Sequence, residues 1–401
     1  MYSVLVFTLV SSLLLAVGIL FAVVYRAGAY RRVILVSMLA KLSTILLNSR
    51  LNLISKADLS DYLPHFLQFH DALVTGSLVD FIGIHVSAYT LFYPGWLFAL
   101  PVSTGDAILM IRLANTVVSV FLLYPLNELS KDVFGTDLDR WQALLLLTWP
   151  SYVPFTITIG RTQLSVFLVL LSLVLINRFM RERSISSIGL AISAVSLSTI
   201  LRIHYIVFPA SYALLAIVIN TRSRLDNREF IYFNMISSTI LGTVSLATYS
   251  YLVKLYTGQT PSSIDFIINS ARVTATGGSA YLTSLYPSGY IDLVWYLPLQ
   301  GFYFLFSPMP WQALHPSASA ILVVTAVETW MFLGLIIISF GRNMGYIRTN
   351  KRLLTLLAMV FLVSVGLGAG VKNAGGAHRW RMPLQLLLIL ISTTLLTRSD
   401  G

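Results

Sequence analysis

At 401 residues, with 56% hydrophobic and 11% charged positions and a mean hydropathy of +0.79, the chain is too apolar for a set of soluble domains and reads as one integral membrane domain over 1–401. Its net charge of +11 sits largely in short arginine clusters, which orient a membrane protein and argue against a nucleic-acid partner. With no cysteine, disulfides, thiolate metal sites and cysteine nucleophiles are excluded.

A hydrocarbon core of about 30 Å calls for about 20 apolar residues per helix. Runs of that kind are predicted at roughly 3–25, 33–54, 106–127, 141–159, 161–179, 185–201, 203–220, 230–254, 318–340, 353–371 and 383–397. The first, Tyr2 to Val24, is too long for a signal peptide's apolar region and lacks a basic stretch before it, so it reads as a retained span. Lys41, Asn48 and Arg50 interrupt the second. The run "AYTLFYPGWLFALP", Ala88 to Pro101, is short, aromatic and broken by Pro94 and Gly95, which fits an interfacial or re-entrant helix.

The basic clusters are Arg26/Arg31/Arg32, Arg178/Arg181/Arg183, Arg222/Arg224/Arg228 and Arg342/Arg348/Lys351/Arg352, with Arg398 after the last span. Placing all of them inside gives an all-α, multi-pass protein of the cell membrane with about eleven crossings and an external N-terminus. Two large external loops, about 55–105 and 255–317, carry interfacial helices, and a short external turn falls at 372–382. No internal repeat and no N-glycosylation sequon is present.

This topology gathers ionisable groups on the outer face. The stretch "SKADLSDYLPHFLQFHD", Ser55 to Asp71, holds three carboxylates and two histidines. Asp58 and Asp61, three apart, share a face of any helical segment there. They suit a general base, a metal-assisting group or a solvated surface. Arg112, Arg161, Arg202, Arg272, Arg379 and Arg381 lie at outer helix ends that the inside rule does not explain. Arg112 and Arg202 interrupt otherwise apolar sequence, where an unpaired guanidinium costs about 2.5 kcal/mol or more, so they need Asp106, Asp265, Asp292 or a bidentately held phosphate.

Glu328 is a carboxylate deep within a span, where either a buried basic partner or a proton or substrate role accounts for it. His65, His70, His85, His204, His315 and His378 all fall outside, yet show no metal-ligand spacing. Gly366, Gly368 and Gly370 suit close helix packing rather than dinucleotide binding. No phosphate-binding loop or serine nucleophile elbow occurs.

The order of these features resembles the GT-C superfamily of membrane glycosyltransferases, of the protein-mannosyltransferase kind. The first loop carries Asp61-Tyr62 and, some thirty residues on, Tyr93-Pro94. "IRLANTVVSVFLLYPLNELSKDVFG" resembles an Arg-containing span and amphipathic turn, and "LTWPSYVPFTITIGRTQLSVFLVLLSLVLINRF" a Pro-marked span, outer turn and return span. "FLFSPMPW", Glu328 and "KNAGGAHRWRMPLQLLLIL" extend the likeness to the C-terminal half. The chain departs where Leu59 and Ser60 separate two acids that are often adjacent, and where Thr162-Gln163 replaces an acid common after the turn arginine.

The resemblance implies inverting transfer of a sugar from a polyprenyl-phosphate donor to a glycan, lipid or protein acceptor at the external face. By it, Asp61 is the catalytic base and Asp58 second. Arg161, Arg202, Arg379, Arg381 and Arg112 hold the donor phosphate, and Tyr62, His378, Trp311 and Glu328 contact substrate. Tyr281, Tyr286, Tyr290, Trp295 and Trp311 stack on sugar rings or form the interfacial belt. No cofactor is required; a divalent cation, Mg or Mn, is possible near Asp58 and Asp61. The alternatives are a polysaccharide polymerase or ligase using lipid-linked glycans, and a lipid or solute transporter; against the last stands the lack of an inverted repeat.

Overall fold

The computed structural model describes residues 28–51, 104–150, 152–153, 161–221, 268, 271–275, 280–289, 291–314 and 320–398. Among the described residues the chain is helical, with no strand and one isolated antiparallel bridge, Ala280 to Asn373. It divides into two compact units: Met1–Asn127, Leu138–Leu171 and Ser196–Ile203 form the first, and Glu128–Asp137, Ser172–Val195 and His204–Gly401 the second.

In the first unit, α1 (Arg31–Leu51) packs on α2 (Thr104–Phe121) and on the short α4 described below. Its buried face joins Val33, Ile34, Met38 and Ile45 to Ser37 and Lys41, while Leu35, Val36, Leu39, Leu46 and Leu47 are exposed. Polar residues inside and apolar residues outside invert the soluble pattern and suit a helix whose solvent is lipid. The predicted span 106–127 is divided: α2 stops at Phe121 and α3 (Leu123–Phe134) restarts after Leu122. Pro125 has no N–H for the Phe121 carbonyl, and its fixed φ suits a first helical turn.

α4 (Arg140–Thr148) opens on a capping box in which Gln142 N–H donates to Asp139 Oδ1 at 2.7 Å and Asp139 N–H to Gln142 Oε1 at 2.8 Å. It ends well short of the predicted 141–159. Trp149 precedes Pro150, and the proline ring drives it to an extended ψ of 127°. α5 (Thr162–Glu182) and α6 (Ile185–Leu201) match their predicted spans closely.

The second unit holds α7 (Val207–Thr221), α8 (Leu293–Phe306), the single turn α9 (Pro310–Ala313), α10 (Ala320–Arg342), α11 (Met344–Thr349), α12 (Lys351–Gly368) and α13 (Ala374–Thr397). α8 lies within the expected loop 255–317 and packs along α12. A Cβ on Gly368 would stand 2.7 Å from the Gln300 carbonyl oxygen, and one on Gly301 3.1 Å from the Val365 Cα, so two glycines let the backbones meet. Gly366, also assigned to packing, faces open space.

α13 starts nine residues before the predicted 383, so the expected external turn 372–382 is mostly helix. Asn373 is the reason: its side chain accepts from the N–H groups of Gly375 at 2.8 Å and Gly376 at 3.3 Å. Pro383 then lies inside the helix and deprives the Arg379 carbonyl of its donor. The Tyr205 hydroxyl replaces it at 2.9 Å.

Four helices, Thr162–Glu182, Leu322–Arg342, Lys351–Gly368 and Ala374–Thr397, are long and apolar enough to cross a membrane, so the described residues do not reach the predicted eleven. In the most apolar 18-residue stretch of Ala374–Thr397 83% of the residues are buried, against only 28% in that of Leu322–Arg342, which makes α13 the core of its unit and α10 its periphery. α10 exposes Val323, Val324, Val327, Met331, Ile337 and Ile338, whereas α13 buries Gln385, Ser392, Thr393 and Thr394. The same inversion as in α1 supports a membrane location.

Candidate functional site

The link between α12 and α13 is tied down by the 271–286 segment. Tyr281 N–H donates to the Lys372 carbonyl at 2.9 Å, the Tyr281 hydroxyl to the Val371 carbonyl at 2.6 Å, and the Lys372 N–H to Thr274 Oγ1 at 3.0 Å. These bonds bury Lys372 completely. Its ammonium donates to the Leu282 carbonyl at 2.8 Å and to that of Leu285, and lies 3.6 Å from the Tyr286 ring centre. Leu282 is held at a φ of 49°, a left-handed conformation that is costly for a leucine. Burial pushes the Lys372 amine down to about 8, and pushes the Tyr281 phenol up.

A buried polar strip runs inward from Lys372 along α8. The Tyr296 ring lies 5.6 Å from the Lys372 ammonium, Gln300 follows one turn on, and the Phe304 carbonyl one turn further. Eight residues of helix carry this strip about 12 Å into the bundle. Tyr296 and Gln300 are fully buried, and neither the Tyr296 hydroxyl nor either end of the Gln300 amide has a hydrogen-bond partner. Buried polar groups are normally satisfied, so unused capacity of this kind marks a place for a polar guest.

At its inner end stands Arg381, also fully buried. Nη1 donates to the Phe304 carbonyl at 2.9 Å and Nη2 lies 2.5 Å from His378 Nδ1. A guanidinium only donates, so His378 accepts at Nδ1 and carries its proton on Nε2. Glu328, buried on α10, and the Tyr281 phenol act electrostatically on Arg381. The buried glutamate thus lies within electrostatic reach of an arginine on a neighbouring helix.

Three sequence candidates, His378, Arg381 and Glu328, therefore come together. Trp311 sits at the rim: its ring meets Tyr303 edge-on at 6.4 Å, and Tyr303 stacks on Tyr281 at 5.5 Å. Arg379 lies on the same helix, half-exposed, and its neighbour Trp380 stacks on His204 at 4.0 Å. Arg379 and Arg381 stand in the first turns of α13, Arg381 about 10 Å from the helix start, instead of in an external turn.

Arg161, Arg202 and Arg112 belong to the first unit. Arg202 is buried and its Nη2 donates to Thr162 Oγ1 at 2.9 Å, at the start of α5; beside it, Gln163 is buried with both ends of its amide unpartnered. Arg112 is half-buried on α2. Asp292, one suggested acid for these arginines, accepts from Ser288 and Trp295, and the Ser288 hydroxyl keeps its carboxyl below the usual range. Asp58, Asp61 and Tyr62, with the possible cation site, lie outside the described residues, as do Tyr290, Asp265, His65, His70, His85 and His315. Among the described residues no three metal-ligating side chains gather.

Lys372, Tyr296, Gln300 and Gln163 are absent from the sequence candidates. Gln300 carries a readable signal, an amide inside the apolar run "LVWYLPLQGFYFLF", as Glu328 does in its own span. Lys372 carries none, because its partners lie about ninety residues earlier.

No family model, no curated protein and no solved structure matches the chain.

Proposed function

We propose that the chain is a membrane-embedded glycosyltransferase of GT-C type that moves a sugar from a polyprenyl-phosphate donor to an acceptor at the external face. The observation that carries this reading is the buried polar strip from Lys372 through Tyr296 and Gln300 to Arg381, rimmed by Tyr281, Tyr303 and Trp311. Cations, an amide with free valences and stacked rings are the groups a sugar phosphate needs. α12 sets this strip about 27 Å from Lys351 and Arg352, close to one hydrocarbon thickness. With the basic clusters inside, the strip opens outward, and about eleven crossings complete the topology.

In this mechanism the polyprenyl chain lies against the apolar outer faces and the headgroup enters the strip. Gln300 and Tyr296 bond sugar hydroxyls. The departing phosphate meets Arg379 at the surface of α13, while Arg381, whose terminal nitrogens are engaged, fixes the site's potential. Asp61, backed by Asp58, takes the acceptor proton as its oxygen attacks the anomeric carbon, a role worth about 10² to 10⁴ in rate. The test is transfer of radiolabelled sugar from a panel of polyprenyl-phosphate sugars by the purified protein. Asp61→Asn abolishes turnover and keeps donor binding if the reading holds; no turnover and no donor binding with any carrier sinks it.

The Glu328–Arg381 pairing favours one second reading, a proton-coupled carrier. Glu328→Gln then removes the proton dependence of uptake into vesicles, a dependence a transferase does not have.

A further inference from the structure

The second unit contains another polar concavity, at the far end of α12 from Lys372. A cavity of about 170 Å³ is enclosed by the end of α3, the last turns of α5, α7 and the first turns of α12. Arg181, Lys351 and Arg352 face it against a single carboxylate, Asp132. That carboxylate is already engaged: Arg181 Nη1 donates to Asp132 Oδ1 at 2.6 Å, and Arg352 Nη1 donates to the Asp132 carbonyl at 2.6 Å. The two bonds hold the guanidinium groups at the wall; Arg181 also pairs with Glu182 at 2.8 Å, so the positive charge in excess is that of Lys351 and Arg352.

Asn177 adds a directional donor. Its carbonyl oxygen accepts from the Tyr212 hydroxyl at 2.6 Å, which turns the amide nitrogen away, and that nitrogen is buried with no hydrogen-bond partner. An uncommitted N–H₂ beside surplus cations is a site for an anion with several acceptor oxygens. Met180 and Ala216 form an apolar part of the wall, and Ile217 next to Ala216 is exposed. A charged end and an apolar flank, at the ends of α5 and α12, both long and apolar enough to cross a membrane, match a lipid at headgroup level.

We propose that this cavity binds a phosphate group, supplied by the headgroup of an anionic glycerophospholipid, through Lys351, Arg352, Arg181 and the Asn177 amide. The site is independent of the transferase reading and belongs to the membrane face carrying the basic clusters.

The test is thermal unfolding of the full chain in neutral detergent, titrated with dihexanoyl phosphatidic acid, dihexanoyl phosphatidylcholine or inorganic phosphate. The phosphatidic acid raises the unfolding temperature saturably and the phosphatidylcholine does not. Lys351→Gln weakens the effect about fivefold, Asn177→Leu weakens it at unchanged charge, and Arg348→Gln, on α11 outside the cavity, leaves it alone. Equal weakening by Arg348→Gln and Lys351→Gln, or no saturable shift, overturns the site. Inorganic phosphate acting at the same concentration as the phosphatidic acid overturns the lipid source in favour of free phosphate.

Discussion

Arg381 and Arg181 belong to the same unit and are satisfied in opposite ways. Arg381 is fully buried and is met by a backbone carbonyl and a neutral histidine, with its carboxylate partner acting at longer range. Arg181 is 49% exposed and forms short ion pairs with Asp132 at 2.6 Å and Glu182 at 2.8 Å. The closer ion pairs are the less consequential, because water and salt screen them. Deep in the bundle the shielded dipoles hold a charge that nothing else can solvate, so geometry alone misranks the two.

The comparison is broken most severely at Arg381. Arg381→Ala takes the donor from the Phe304 carbonyl and His378 and the nearby positive charge from Glu328, and is expected to cost about 3–5 kcal/mol; loss of monodisperse protein on size exclusion, with a collapsed unfolding temperature, is the readout. Next is Gly368→Ala, which drives a methyl against the Gln300 carbonyl oxygen and separates α8 from α12. About 1–3 kcal/mol is expected, and a normal unfolding temperature would show that the two backbones do not touch there.

Lys372 sharpens the contrast through pH. Its amine is lowered from 10.5 to about 8 in the folded chain, so between those values the unfolded chain binds a proton that the folded chain has shed. Stability therefore rises as pH climbs from about 8, at no more than about 1.4 kcal/mol per pH unit, and is flat below. Unfolding temperatures at pH 7.5, 8.5 and 9.5 measure the slope, which Lys372→Met removes. Asn373→Ala, which strips the cap from α13, costs about 1 kcal/mol. The smallest effect is at the exposed end: Arg181→Ala changes stability by about 0–1 kcal/mol, a change that shrinks further in high salt.

Helices whose ends are marked by charge were readable from sequence: α5 and α6 lie where 161–179 and 185–201 were predicted, bounded by Arg161, Arg178 and Arg183. Boundaries set by side chains reaching the backbone were not. The "KNAGGAHRWRM" segment looks like a turn because of its glycines and charges, yet Asn373 caps it into helix and burial among α8, α10 and α12 absorbs its polarity. Proline shortened two predicted spans, at Pro125 and Pro150, and failed to shorten α13 at Pro383. The site follows the same division. Glu328 and Arg381 are conspicuous as charges in apolar sequence, whereas Lys372 acquires its character from Leu282, Leu285 and Tyr286, which no local pattern places beside it.

The Tyr205 hydroxyl that replaces the missing proline N–H on α13 bears on how the protein is assembled. A span entering the bilayer alone must satisfy its own backbone, and α13 leaves the Arg379 carbonyl open to hydrocarbon. Its insertion is complete only when the 203–206 turn is already in position to receive it. The docking order of α13 is thus written into a single phenol contributed some 170 residues earlier.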